Sequence, residues 1–393
     1  MPVVVYVLGL SIFGLGTTEF IVAGLLPLIA DDLQVSVPAV GWLISAFAIG
    51  MAIGAPVLTG ASLRLPRKTT LVGALLLFAA GQVLGALAPN YATLLVARVV
   101  TAIATGAFWG VAAVAVVAAV TPDRTARALA ILLGGLTLAN VAGVPAGTWL
   151  GQWLGWRAAF WAVALVALIS LVGVVALVPA GQRNTEPPRL ANELRTFRNQ
   201  RIWVSLATTV LYSAGMFGVF SYAAPLITDV AGLPESAVSG LLLLFGVGAF
   251  LGNVLGGRFA DRGALTNLHV SFVVVIAVLV TLAATAGWPI AVVVLLFALG
   301  VAGYSAAAAL NARVFQLADG APTLAGAVNT SAFNVGNTLG PWIGGVAISA
   351  GLGYRAPVWF GAALLVGALA LTGVSRLLDT RASVPLCEDL SRV

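Results

Sequence analysis

Apolar residues run through this chain in long blocks, and short polar stretches punctuate them. Twelve blocks of about 20 residues stand out, each long enough to cross a ~30 Å hydrocarbon core as a helix. Their limits are 4–28, 40–62, 69–88, 92–119, 126–150, 156–178, 202–227, 237–257, 268–286, 289–311, 323–350 and 356–377. The longest polar stretch, Pro179 to Arg201, holds Pro187-Pro188 and then Leu190 to Arg198, a linker followed by a short amphipathic surface helix. It predicts four parts: a six-span bundle over 1–178, a linker over 179–201, a second six-span bundle over 202–378 and a tail over 379–393. The halves repeat at one offset. Pro27-Leu28-Ile29 answers Pro225-Leu226-Ile227, Asp31 answers Asp229, Arg64 answers Arg262, and Leu154-Gly155-Trp156-Arg157 answers Leu352-Gly353-Tyr354-Arg355, all 198 residues apart. The expected fold class is all-α and polytopic, with twelve transmembrane helices in two pseudo-symmetric six-helix bundles around a midplane site.

Composition sharpens this. The 393 residues are 61% hydrophobic and 8% charged, where soluble domains carry about 25% charged residues. The single cysteine, Cys387, excludes an intrachain disulfide and a cysteine metal cluster, and the single histidine, His269, excludes a histidine metal site. No metal or cofactor is expected. The first block is too long for a signal-peptide core and is read as a span.

The net charge of +6 would fit nucleic-acid binding, but the charges sit elsewhere than a patch requires. With the N-terminus on the cytoplasmic side, Arg157 and Arg355 alone fall outside and Arg98 falls within a span. The other sixteen of the 19 basic residues fall inside. That asymmetry is topology. It predicts cytoplasmic N- and C-termini, a lipid bilayer as the partner surface, and no nucleic acid.

Glu19 is the acid that stands apart. Every other Asp and Glu falls near a span end, in a loop or in a tail. An ionisable group at bilayer depth costs about 2.5–3.5 kcal/mol on insertion scales and marks function. Low dielectric favours the neutral form of a carboxyl group, so an acid here can carry a proton. The position 198 residues on is Phe217, so one half alone has this group. Arg98 lies at similar depth, both roughly 10–14 Å from the outer end at ~1.5 Å per residue. Arginine stays charged and must find an anion or carbonyls. Arg98 is expected to hold the Glu19 carboxylate in one conformation and release it in another, or else to tie main-chain carbonyls of neighbouring helices. Arg98, Thr101, Thr105, Phe108 and Trp109 share one helix face.

Four motifs resemble the major facilitator superfamily over essentially the whole chain. Gly257-Arg258-Phe259-Ala260-Asp261-Arg262 is similar to its loop signature between spans 8 and 9. The first-half copy keeps Arg67-Lys68 but has Leu63 at the aspartate position. Arg98 after Leu94 resembles the intramembrane arginine motif, with Thr101 and Ala102 replacing its usual Gln-Gly. Gly336, Gly340, Pro341, Gly344 and Gly345 fit an antiporter pattern that belongs more typically to span 5, where Gly143, Pro145 and Gly147 form a looser version. Gly16 to Phe20, Gly24 to Pro27, and Ser45 to Gly50 with Gly54-Ala55-Pro56 resemble the twelve-span drug:proton antiporters, near the actinobacterial chloramphenicol exporters and the arabinose or sugar efflux permeases.

The resemblance implies the major facilitator fold and a monomer in a bacterial cytoplasmic membrane. It implies proton-coupled efflux of a small, neutral, amphipathic compound such as a chloramphenicol-like drug, or alternatively export of a sugar or small metabolite. It brings spans 1 and 4 to a central cavity with Glu19 and Arg98 as the proton-coupling pair. Thr105, Phe108, Trp109, Asn140, Tyr212, Phe217, Tyr222, Tyr304 and Asn334 are the candidate walls. A cytoplasmic gate is expected from Arg64, Arg67, Lys68, Arg127, Gly257, Asp261 and Arg262, with Asp261 facing Arg124 and Arg127, and Arg64 or Arg67 facing Asp319. The glycines of spans 5 and 11 permit close helix packing, and Pro341 adds a bend. An enzyme would need a catalytic cluster at membrane depth, and none is present in the sequence.

Overall fold

The computed structural model describes residues 1–62, 66–121, 124–179, 199–317 and 322–383. Side chains of 55–62, 110, 125, 126, 130, 261, 262, 322–327 and 381–383 lie outside the description. The predicted amphipathic linker helix, Arg64 and Asp319 fall outside the described residues, as do the side chains of Asp261 and Arg262.

Helices account for nearly all of the described chain. α1 is Val3–Asp32, α2 Val37–Ser62, α3 Arg67–Ala86 and α4 Tyr91–Ala118. α5 runs as Thr125–Leu138, a π turn at Ala139–Gly143, and Val144–Leu154. α6 is Trp156–Leu177. α7 is Gln200–Ser221, extended through Ala223–Pro225 and a π turn at Leu226–Val230. A break at Gly263 separates α8, Ser236–Ala260, from α9, Gly263–Thr285. α10 is Pro289–Leu317, α11 Pro322–Ser349 and α12 Ala356–Ser383. Local chemistry places several ends. Asn90 caps α4 by accepting from the Thr93 N–H at 3.0 Å, and Gly155 and Gly353, repeat mates, both turn at positive φ before α6 and α12.

Eleven helices among the described residues are long and apolar enough to cross a membrane. α11 is long enough but falls outside that set. Two of its asparagines are paired inside the protein: Asn337 Oδ1 accepts from Ser213 at 2.5 Å, and Asn329 Oδ1 accepts from Thr209 at 3.2 Å, both across to α7. Burial then sorts the helices. The most apolar stretch of α1 is 78% buried and that of α7 67%, against 33% for α6. α1 and α7 are therefore interior. α6 shows Leu165, Ile169 and Val172 to the outside, a stripe that only lipid covers without cost.

Glycine sets how close α1 comes to α5. A Cβ on Gly143 would collide with Thr17, on Gly147 with Ile21 and on Gly151 with Leu25, while Gly135 would meet the main chain of Gly9. The second half repeats this. A Cβ on Gly336 would strike Ser213 and the Val210 carbonyl, and on Gly340 the main chain of Ala214 and Gly218, so α11 lies against α7 as α5 lies against α1. Gly344 meets the Tyr222 ring and Gly345 its hydroxyl, and Pro341 lies within α11, its carbonyl accepting from Tyr222 Oη at 2.9 Å. Pro145 follows the π turn of α5 at once. Proline lacks the N–H of a regular turn, and the extra residue accommodates that loss.

The halves meet through α2 with α11, α5 with α8, and α1 with α7. The contacts lie toward the end that carries Asp32. Pro38 sits beside Gly345, Ser45 Oγ donates to the Thr338 carbonyl at 2.9 Å, Gln152 donates to the Glu235 carbonyl, and the Asn140–Val141 main chain abuts Gly246. At the same end Arg157 holds Asp32 at 2.5 Å and the Ala88 carbonyl at 2.9 Å, so this arginine on the sparsely charged side is locked in place.

Gly340→Ala is expected to lower the stability of the detergent-solubilised protein by about 1–3 kcal/mol, because the main chain of α7 cannot yield. Gly257, whose Cβ would meet nothing, should tolerate alanine without loss. Paired thermal melts check both.

Candidate functional site

The site forms where α1, α4, α7, α8 and α10 converge. Thr17, Thr18 and Glu19 are successive residues of α1 and point three ways. Thr17 faces α5, where Gly143 makes room. Thr18 is fully buried and faces α3, where Gln82 Nε2 donates to its hydroxyl at 2.7 Å. Glu19 is partly exposed between buried neighbours, and its carboxylate takes no hydrogen bond among the described residues. The acid is therefore partly accessible on a turn of α1 whose neighbouring residues are buried.

Arg98 is 1% exposed and does not grip that carboxylate. Nη1 donates to the Thr18 carbonyl at 2.6 Å, Nη2 to the main-chain carbonyl of Glu19 at 3.3 Å, and Nε to the Leu43 carbonyl at 3.4 Å. Its guanidinium carbon lies 4.2 Å from the centre of the Phe47 ring, a favourable cation–π arrangement. Of the two roles the sequence leaves open for Arg98, this structure displays the carbonyl tie. The charges of Glu19 and Arg98 still interact, and Tyr304 of α10 lies within electrostatic reach of Glu19.

Aromatic rings bridge the halves above the acid. Phe20 of α1 lies 5.3 Å from Phe217 and 6.3 Å from Phe220, Phe220 lies 5.2 Å from Phe245, and Phe245 lies 6.1 Å from Tyr304. Phe217, the repeat mate of Glu19, is thus packed on the residue next to it.

The other candidate wall residues divide. Phe217, Tyr304, Trp109 and Asn140 are partly exposed, and Asn140 belongs to the π turn of α5, which abuts Gly246 of α8. Four are corrected. Thr105 and Phe108 are wholly buried in the first half, with Thr105 Oγ1 donating to the Thr101 carbonyl at 2.7 Å. The shared face of α4 packs into the bundle, since Gly81 of α3 abuts Thr101. Tyr212 donates to the Gly303 carbonyl at 2.7 Å and Tyr222 to the Pro341 carbonyl, both buried. Asn334 is also buried, with Nδ2 on the Thr330 carbonyl at 3.0 Å and its own oxygen unmet. Of the expected gate, Arg127 is exposed, Lys68 is half-buried, Arg67 has a partner, and Gly257 faces open space.

Sequence reading missed Gln82, Phe20, Phe220, Phe245 and the Ser45–Thr338 bond. Gln82, as the one amide of an apolar span, carried a usable signal. The phenylalanines carried none, because aromatic residues suit any membrane helix.

The Major Facilitator Superfamily model matches residues 8–332. The chain is 39% identical over 386 residues to the chloramphenicol resistance protein of Streptomyces lividans, covering 98% of each. It is 38% identical over 364 residues to the inner membrane transport protein YdhP of Escherichia coli K12, covering 93% of each. A bacterial homologue of the human lysosomal transporter Spinster, solved inward-facing and unoccupied, shares the fold at a TM-score of 0.75 and 20% identity, over 96% of this chain and 97% of that one.

Arg98→Leu should remove three hydrogen bonds from a charged donor, worth about 1.5–3 kcal/mol each at most, and reduce the folded yield. Glu19→Gln should leave the melting temperature near wild type, because the carboxylate makes no hydrogen bond. Size-exclusion and thermal-melt profiles of both variants test the asymmetry.

Proposed function

The chain belongs to the major facilitator superfamily and is a membrane transporter, and from that premise we propose that it exports a small, neutral, amphipathic compound in exchange for protons across a bacterial cytoplasmic membrane. Glu19 carries the reading: an acid at bilayer depth, unbonded, partly accessible, with Arg98 and Tyr304 near by. The likeness to a chloramphenicol resistance protein over 98% of the chain supports a drug of that kind. The wall supports it further. Phe20, Phe217, Phe220, Phe245 and Tyr304 offer rings and one hydroxyl, a surface suited to an amphipathic solute. A sugar needs a denser set of hydrogen-bonding groups, so this wall favours the drug over the sugar alternative.

The cycle follows from the contacts. With the basic-rich side in the cytoplasm, the joined Asp32 end is the outer end, and this conformation faces inward. Solute and an ionised Glu19 share the open side. Rocking the halves breaks Ser45–Thr338 and the α5–α8 contact and opens the outer end. Proton entry through Glu19 then drives the return. Each proton moving inward is worth ~2.3 kcal/mol per 100 mV, and 1.4 kcal/mol is tenfold, so one proton per neutral solute sustains roughly a 50-fold gradient. Protons are the coupling ion, and no other cofactor enters. The protein acts as a monomer, with one site between its halves.

In sealed vesicles carrying an imposed pH gradient, wild type should concentrate chloramphenicol against its gradient. Glu19→Gln should bind chloramphenicol within about twofold of wild type, since a neutral solute needs no countercharge and glutamine keeps the volume and an accepting oxygen, and should lose gradient-driven transport. Gradient-driven transport that persists in Glu19→Gln would refute the proton role. A sugar panel run beside the drug decides the substrate class.

A further inference from the structure

Gln82 lies in the interior of α3 and is 0% exposed. Its Nε2 holds the Thr18 hydroxyl, while Oε1 meets no hydrogen-bonding group. Turning the amide over exchanges the end that holds Thr18 and leaves the other end unmet. A buried polar atom without a partner is costly enough to need an explanation, and an apolar side chain would pack α3 against α1 without that cost.

The explanation lies in what Thr18 carries. Its main-chain carbonyl accepts from Arg98 Nη1, and the next residue is Glu19. One turn of α1 is therefore held from three sides. α3 grips the Thr18 side chain through Gln82, α4 grips the carbonyls of Thr18 and Glu19 through Arg98, and α5 comes in against Thr17 at Gly143. Arg98 holds main-chain carbonyls and Gly143 receives the bulk of Thr17, whereas Gln82 makes the polar side-chain bond of the three, on the α3 side of α1.

We propose that Gln82 is a positioning residue for proton exchange at Glu19: by holding Thr18 it sets how the Glu19 carboxylate is aimed relative to Arg98 and Tyr304, and so how readily the acid takes up and releases a proton. The proposal rests on the proton role of Glu19. Arg98 of α4 donates to the main-chain carbonyl of Glu19, Tyr304 of α10 connects to Phe20 through the rings of Phe245 and Phe220, and Tyr212 of α7 donates to the carbonyl of Gly303 next to Tyr304. α2 has no charged residue, and the charged residues of α5, α6, α7 and α8 lie at helix ends. None of these elements brings another charge to the acid.

The test reads protonation directly and needs no transported solute. In the purified full-length protein in lipid, the infrared carboxyl band that Glu19→Gln removes is followed against pH. Gln82→Met, which keeps the volume and loses the bond, should displace the midpoint by about half a pH unit or more, the scale of one lost buried hydrogen bond. Thr18→Val should do the same, Thr18→Ser should recover the wild-type midpoint, and the double variant Gln82→Met with Thr18→Val should move it no further than the larger single change, as for one shared bond. A Thr18→Val and a Gln82→Met protein that are both folded and titrate like wild type overturn the positioning role alone. A wild-type protein with no titrating Glu19 band overturns this role and the proton reading together.

Discussion

A guanidinium inside a bilayer protein must be solvated by the protein itself, and the way Arg98 meets that demand organises the structure. Three donors reach carbonyls on two helices, Thr18 and Glu19 of α1 and Leu43 of α2, and the flat face of the group lies on Phe47. Hydrogen bonds to a charged donor are roughly twice as strong as neutral ones. Without those carbonyls the guanidinium would be a buried charge with nothing to solvate it. One side chain thus binds α1, α2 and α4 into a unit. Because the carbonyls solvate Arg98, Glu19 is left without a fixed hydrogen-bonding partner. A carboxylate in a tight bidentate pair would be expensive to protonate. One held near a cation, but not bonded to it, can exchange.

The same economy appears between the halves. Each half has its own glycine-lined helix against its first helix, α5 on α1 and α11 on α7, so each first helix is gripped firmly within its own bundle. Across the boundary the contacts are fewer in kind. They include the Ser45–Thr338 and Gln152–Glu235 bonds, two approaches at glycine, and the tilted and edge-on contacts of Phe20 with Phe217 and Phe220. Such a boundary is suited to separating as rigid bodies, since breaking it strands few buried polar atoms. Glu19 and Phe217, mates in the repeat, have diverged into an acid and a ring that meet near one point. The repeat supplies the scaffold, and the asymmetry supplies the chemistry.

Much of this was readable beforehand. Span positions follow from hydropathy because a bilayer leaves the main chain no alternative to helix, and α1 to α10 and α12 lie where their apolar blocks predict. The glycine patterns announced close packing, and the structure shows which helix each one touches. The repeated Leu-Gly-aromatic-Arg element became the same positive-φ turn twice. Glu19 and Arg98 stood out as charges in apolar spans. Legibility failed where a residue type has more than one use in a membrane helix. The polar face of α4 looked like a cavity wall, yet Thr101 and Thr105 spend their hydroxyls on carbonyls one turn back and pack inward. Tyr212 and Tyr222 looked like ligand contacts and are buried hydrogen-bond donors.

What the sequence by itself determined was therefore whatever the bilayer dictates residue by residue: the course of the long apolar helices, the two-fold repeat, and the presence of one acid and one base in apolar spans. What only the tertiary structure decided was partnership. Arg98 bonds carbonyls rather than the acid, Gln82 reaches Thr18 across 64 positions of chain, and Phe20 joins the rings of the opposite half. Hydropathy reports the free energy of one side chain against its solvent, whereas a hydrogen bond or a ring stack depends on two groups brought together by the packing of whole helices, and no one-dimensional pattern contains that distance.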